Sequence, residues 1–151
     1  MAISAEAVKE LRDKTGISMM ECKKALEEAE GNMEKAIELL QARSSVIAAK
    51  KADRELGAGM VASYIHNTGQ VGAMVLLACE TDFVSKNEEF SALARDIAMH
   101  VSAMRQENVE ALLEEQFIKD PSKTIKDLLS GATQKFGERV EIAKVSCFSV
   151  R

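Results

Sequence analysis

The chain has 151 residues, with 24 acidic and 20 basic side chains and a formal net charge of −4 at pH 7. This length fits one domain or two small ones, and the mildly acidic balance argues against direct nucleic-acid binding, because phosphate groups require a basic surface. No apolar run reaches the length of a membrane span and no signal segment is recognisable, so we expect a soluble cytoplasmic protein that does not bind membranes.

The first part of the chain, residues 1–43, has the start and stop signals of three short helices. Serine and asparagine stand where helix N-caps are needed, and glycines stand where helices end. These residues are Ser4 and Gly16 for the first helix, Ser18 (in a capping box with Glu21) and Gly31 for the second, and Asn32 for the third. The pattern predicts a compact three-helix domain like a ubiquitin-associated domain.

The second of these helices carries two adjacent methionines on different faces. At about 100° per residue, Met19 lies on the same side as Cys22 and Leu26, whereas Met20 falls nearly opposite that apolar stripe. Met20 is therefore predicted to be exposed. An exposed methionine is either an unremarkable surface residue or a flexible grip for an apolar groove, and the pattern alone leaves both readings open.

Residues 44–56 are interpreted as a linker, because their helix-compatible pattern lacks a strong apolar stripe. Lys50 and Lys51 in this stretch suggest a basic patch for RNA. Asp53 and Glu55 follow them closely, however, which favours a solvated connector.

Residues 57–151 mix strand and helix patterns and are predicted to form an α+β core that also serves for dimerisation, a small antiparallel β-sheet packed with helices. Residues 60–66 and 70–81 are predicted to pair as an antiparallel hairpin. The run Val71–Cys79 is apolar on both alternations, which is typical of a strand covered on both faces.

The C-terminal third is predicted to hold a short helix, a longer helix and a last strand. Asp120 as the cap and Pro121 at the first helical position predict that the longer helix starts there. The last strand, residues 140–150, has an alternation that slips by one residue near Ala143 and Lys144, as at a β-bulge.

The joint between the apolar strand and the next helix carries an aromatic side chain. Asp82 and Phe83 are predicted to lie on a strand-to-helix loop, where a rigid scaffold commonly presents functional groups. Phe83 is either tucked under its own helix or offered to a partner. The spacing alone favours the first reading.

Stretches of this sequence resemble the signatures of the translation elongation factor Ts family. They are CETDFVSKNEEF at Cys79–Phe90, VKELRDKTG at Val8–Gly16 with MMECKKAL at Met19–Leu26, and YIH at Tyr64–His66 with Val71 and Gly72. The resemblance covers most of the chain in the family's order. It implies a non-enzymatic guanine-nucleotide exchange factor for the GTPase elongation factor Tu, and it favours Phe83 as a partner-facing residue.

The resemblance also implies a set of partner-binding residues. In the family the helical unit docks on the nucleotide-binding domain of the GTPase, and a loop aromatic enters a pocket near the magnesium site without touching the nucleotide. On this chain the wedge loop comprises Thr81, Asp82, Phe83 and Val84, the docking edge comprises Arg12, Met19 and Met20, and the turn beside the wedge is Phe136 and Gly137, where other members carry Ile-Gly.

This chain is shorter than the family pattern. Longer members carry a second core half and a helical module near the C-terminus, and the stretch between Met104 and Gln116 is also abbreviated here. Because the apolar strand then lacks cover on one face, we expect a homodimer that pairs through residues 57–151.

No catalytic, metal or cofactor site is predicted. His66 and His100 have no cysteine or carboxylate at a ligand-like spacing, and no glycine loop has the form of a phosphate-binding motif. The chain has three cysteines, which lie far apart among apolar residues and are predicted to be buried, reduced thiols. A cysteine enzyme using Cys79 with Asp82 lacks a nearby base.

The alternative to an exchange factor is a helical adaptor, whose three-helix domain binds a peptide or a ubiquitin-like partner. An adaptor has no need of the wedge loop beside the helix that carries the two methionines.

Overall fold

The computed structural model describes residues 2–151, and within them the chain forms seven helices and five strands. In chain order they are α1 Ala5–Thr15, α2 Met19–Glu28, α3 Met33–Lys50, β1 Ala58–Ile65, β2 Val71–Cys79, α4 Asp82–Ser85, α5 Glu88–Met104, α6 Val109–Glu114, β3 Gln116–Phe117, β4 Asp120–Thr124, α7 Ile125–Phe136 and β5 Glu141–Ser149. Helices precede the sheet, which confirms the predicted α+β class. No helix in residues 2–151 is long and apolar enough to cross a membrane.

The predicted helix ends of the N-terminal unit are confirmed. The side chains of Ser4, Ser18 and Asn32 each accept a hydrogen bond from a backbone N–H three residues later, and Gly16 ends α1 with φ 70°. Three helices then enclose one small core, whose most buried members are Leu11, Cys22, Ala25, Leu26, Ala36 and Leu40.

The third helix runs past residue 43 to Lys50, so residues 44–50 of the predicted linker are helical. Their contact with α7 explains why, since Ser44 is 4% exposed and its hydroxyl bonds to the carbonyl of Leu40 and to the Gln134 side chain. The long α3 therefore joins the helical unit to the second part of the chain. The division into domains at residues 43 and 57 stays a prediction.

The main sheet is antiparallel with strand order β1-β2-β5, and it contains the predicted hairpin. Leu76 pairs with Lys144 and Leu77 pairs with Ile142, which leaves Ala143 as an extra residue and confirms the predicted bulge. Helix α5 covers one face of this sheet and shares a continuous core with it. Fully buried members of that core are Val75, Leu77, Phe90, Ala94, Ile97 and Val101.

The opposite face of the sheet is open in the single chain. Val61, Ile65, Met74 and Phe148 point away from α5 and are between 50% and 76% exposed. We call this group the open sheet face. The strand that is apolar on both alternations is thus covered on one side by its own chain.

The prediction that a helix starts at Asp120 and Pro121 is wrong. Residues Asp120–Thr124 form β4 instead, in which Asp120 pairs with Phe117 and Thr124 pairs with Gln116. Helix α7 begins after Thr124, which forms a capping box with Asp127. The Asp120 carboxylate accepts hydrogen bonds from the Ser122 N–H and hydroxyl, and the hydroxyl bond lowers the pKa of Asp120. Strand pairing therefore overrides the local helix-capping signal at Asp120.

Candidate functional site

The segment after β2 forms a single helical turn that presents Phe83. Thr81 is extended, and Asp82–Ser85 then make a single helical turn, α4, before α5 begins. Val84 is 5% exposed and packs into the core, whereas Phe83 is 89% exposed. Because adjacent residues on a helix point about 100° apart, the anchor at Val84 directs Phe83 outward.

The other predicted residues of the wedge loop divide between surface and core. Thr81 and Asp82 are exposed beside Phe83. Val84 is buried and holds the turn from beneath, and its predicted contact with the partner stays a prediction. Phe83 is not tucked under α5, so the reading favoured by spacing alone is wrong.

The turn at Phe136 and Gly137 lies next to this loop. Gly137 ends α7 with φ 72°, and its carbonyl accepts a hydrogen bond of 2.8 Å from Lys51 Nζ. The half-buried Phe136 ring packs edge-on against Phe90, with ring centroids 6.0 Å apart. The next residue, Glu138, hydrogen-bonds to the backbone of Thr81, so the structure brings the predicted turn and wedge together.

The docking edge lies at the start of α2 and on the outside of α1. Arg12 is exposed, Met19 is 42% exposed and Met20 is 67% exposed. The exposure of Met20 confirms the helical-wheel prediction, whereas Met19 lies at the rim of the buried stripe.

The α1–α2 turn that leads into the docking edge contacts the end of α7. A methyl group added at Gly16 would lie 3.1 Å from Lys135 Nζ, and Lys135 also pairs with Glu89 at the start of α5. Lys135 immediately precedes Phe136. The end of α7 therefore links the helical unit to the wedge loop.

Sequence reasoning missed the polar groups that hold the loop in place. Glu138 and Glu80 are 58 residues apart, yet the Glu138 side chain accepts a hydrogen bond from the Glu80 N–H and the Glu80 side chain accepts one from the Arg139 N–H. A carboxylate just after a helix-ending glycine is common on protein surfaces, so no sequence signal distinguishes Glu138.

The cysteine environments do not suit a nucleophile. Cys22 and Cys79 are buried and Cys147 is half-buried, and all three are free thiols. Burial raises the pKa of each thiol, and at Cys79 the negative charges of Glu138 and Asp82 raise it further. A raised pKa disfavours the thiolate, which is the nucleophilic form of cysteine.

The histidines lie in unrelated settings. His66 is exposed beside Tyr64, while His100 is fully buried, with Nε2 2.8 Å from a Glu115 carboxylate oxygen and Nδ1 accepting the Ile118 N–H. Within residues 2–151, no three His, Cys, Asp or Glu side chains are grouped to hold a metal ion.

The fold and the site define a class, a small α+β protein with a helical unit and an exposed aromatic on an anchored turn, suited to contact with another protein. A model of the family described as elongation factor TS matches residues 80–151. An elongation factor Ts from Thermosipho melanesiensis is 40% identical, with 98% of each chain covered, and one from Leptospira biflexa is 39% identical over 99% of this chain and 98% of the relative. This chain belongs to the elongation factor Ts family, whose members serve in translation elongation.

This chain has fewer residues than the relatives it matches. The two alignments run over 193 and 195 positions, so those relatives contain more than 40 residues that have no counterpart among the 151 here. A relative from Clostridium acetobutylicum is 46% identical over 97% of this chain, which spans 48% of that longer protein.

Proposed function

We propose that this protein is a guanine-nucleotide exchange factor that promotes GDP release from elongation factor Tu. The observation that carries the proposal is Phe83, which is 89% exposed on a turn anchored by the buried Val84, in a chain of the elongation factor Ts family. A large apolar side chain held out into water gains free energy when a partner covers it.

In the proposed mechanism the docking edge and the wedge act on different parts of the GTPase. Arg12, Met19 and Met20 hold its nucleotide-binding domain, while Phe83, with Asp82 as its polar neighbour, enters a pocket near the magnesium site. Phosphate-binding elements shift without direct contact to the nucleotide. The protein supplies binding free energy and no catalytic group.

Linkage sets the scale of this mechanism. A factor that weakens nucleotide binding must itself be bound more weakly in the presence of nucleotide, to the same degree. A loosening of roughly a thousandfold corresponds to about 4 kcal/mol of coupling. Burial of one Phe side chain contributes about 1.5 to 3 kcal/mol. Phe83 can therefore be the largest contribution, but the docking edge must supply the rest.

The direct test is release of fluorescent GDP from elongation factor Tu in excess unlabelled GDP. We expect this protein to accelerate release at concentrations below that of the GTPase, since an exchange factor turns over. Binding without acceleration would refute the proposal and favour a helical adaptor. Acceleration that disappears on alkylation of the cysteines under folded conditions would point to thiol chemistry instead.

We further propose that two copies of the chain pair through the open sheet face. Its four apolar side chains, Val61, Ile65, Met74 and Phe148, form one surface on three neighbouring strands, and apolar surfaces of this kind mark interaction sites. Two-fold pairing of identical faces covers both copies at once.

Sedimentation at micromolar concentration tests the pairing. We expect a dimer of the 16.5 kDa chain, and we expect Met74→Glu, which places a charge in the middle of the face, to give a folded monomer. Val46→Glu, at an exposed apolar position on α3, is the matched control and should stay dimeric. A wild-type protein that sediments only as a monomer and exchanges nucleotide fully would refute it.

A further inference from the structure

We infer that Glu138 is a positioning residue for Phe83: its carboxylate fixes the backbone from which the exposed aromatic projects. The inference rests on the proposed function and adds to it a residue outside the partner-binding set. It concerns the hydrogen bonds that tie the wedge loop to the segment after α7.

The Glu138 carboxylate accepts the backbone N–H groups that follow the end of strand β2. After Cys79 the sheet no longer supplies acceptors, and Glu138 Oε1 accepts the N–H groups of Glu80 and Thr81 at 3.1 and 2.9 Å. Glu138 Oε2 accepts the Thr81 hydroxyl at 2.6 Å. Hydrogen bonds to a carboxylate are stronger than bonds between neutral groups, and these three hold Glu80 and Thr81, the latter at the N-cap position of α4.

The contact is reciprocal. Glu80 Oε2 accepts the backbone N–H of Arg139 at 2.7 Å, so each of the two loops offers a carboxylate to the backbone of the other. The Glu80 side chain is only 16% exposed and lies 3.5 Å from the Arg54 guanidinium. The Arg139 guanidinium is held in turn by Glu141 and by the Arg54 carbonyl. These cations offset the repulsion between two neighbouring carboxylates.

This arrangement matters because Phe83 has almost no packing of its own. At 89% exposure its direction depends on the backbone of α4, which Val84 anchors from below and Glu138 anchors at its start. A side chain that is already oriented loses less conformational entropy when its partner closes around it. Without Glu138 the turn keeps Val84 but loses its second fixed point.

The experiment compares Glu138→Ala and Glu138→Gln with Glu114→Ala, a control that removes an exposed carboxylate at the end of α6, outside this network. Amide hydrogen exchange at Glu80 and Thr81 is measured in the free protein. GDP release from elongation factor Tu is then measured with each variant, both with Phe83 present and in a Phe83→Ala background. Rates are compared per folded molecule.

We expect Glu138→Ala to speed amide exchange at Glu80 and Thr81 and to slow GDP release about tenfold when Phe83 is present. In the Phe83→Ala background it should have no further effect, because its action passes through that side chain. Glu138→Gln keeps one carbonyl oxygen as an acceptor and should restore part of both properties. The control Glu114→Ala should leave the two amides and the rate unchanged.

Unchanged amide exchange in Glu138→Ala would overturn the inference, because the carboxylate would then not hold the turn. An equal slowing in the presence and absence of Phe83 would also overturn it, since Glu138 would then act by direct contact or through the fold. Amide exchange needs no GTPase. If the wild-type protein fails to accelerate GDP release from the GTPase, the proposed function is refuted. If the two amides are nevertheless protected by Glu138 in that protein, the anchoring of the turn remains supported.

Discussion

Replacing Phe83 with alanine tests whether this side chain faces a partner or packs in the core of its own chain. The side chain is 89% exposed, so the substitution removes almost no packing from the folded chain and should leave the melting temperature nearly unchanged. If docking buries the ring, its loss costs about 1.5 to 3 kcal/mol of binding free energy, which corresponds to roughly a ten- to hundredfold lower exchange activity.

The assay is stopped-flow release of fluorescent GDP from elongation factor Tu at several concentrations of each variant. Met104→Ala is the control, because Met104 is 52% exposed and lies at the far end of α5, about 24 Å from Glu88 by helical rise. We expect Met104→Ala to match the wild type. A Phe83→Ala protein that melts at a lower temperature yet releases GDP at the normal rate per folded molecule would refute the reasoning.

Three further outcomes follow from burial and packing. Met20→Ala should weaken complex formation with little change in thermal stability, whereas Leu26→Ala, at a fully buried position, should cost about 2 to 5 kcal/mol of unfolding free energy; equal losses in melting temperature would contradict the assignment. Gly59→Ala should lower the free energy of unfolding measured with denaturant, because the added methyl group would lie 2.6 Å from a β2 carbonyl oxygen. Gly57→Ala should hardly change it, because there the nearest atom is 3.5 Å away. Cys79 has a raised pKa, so iodoacetamide should modify it more slowly at pH 7 than a free thiol, with a rate that increases with pH; a pH-independent or fast reaction would contradict this.

Helix ends and strand pairs were readable from the sequence where short-range chemistry decides them. Ser4, Ser18 and Asn32 cap helices with hydrogen bonds that span three residues, so no distant part of the chain is needed. The bulge at Ala143 was visible as a slip in the two-residue alternation, because side-chain direction along a strand is itself a local property.

Local signals failed where a distant segment competed for the same backbone. Asp120 and Pro121 have the form of a helix start, but Asp120 and Thr124 pair with β3, and helix α7 begins only after Thr124. Residues 44–50 lack a strong apolar stripe, and contact with α7 determines that α3 continues through them.

At the site, too, some features were readable from the local sequence and others depended on distant packing. The motif around Asp82 and Phe83 could be recognised from the order of its residues, and so could the family to which the chain belongs. Which side chain of the turn points outward could not, because it depends on the sheet and α5 closing over Val84. The carboxylate of Glu138 reaches the same turn from 57 residues beyond Thr81, and only the packing of α7 against the core places it there.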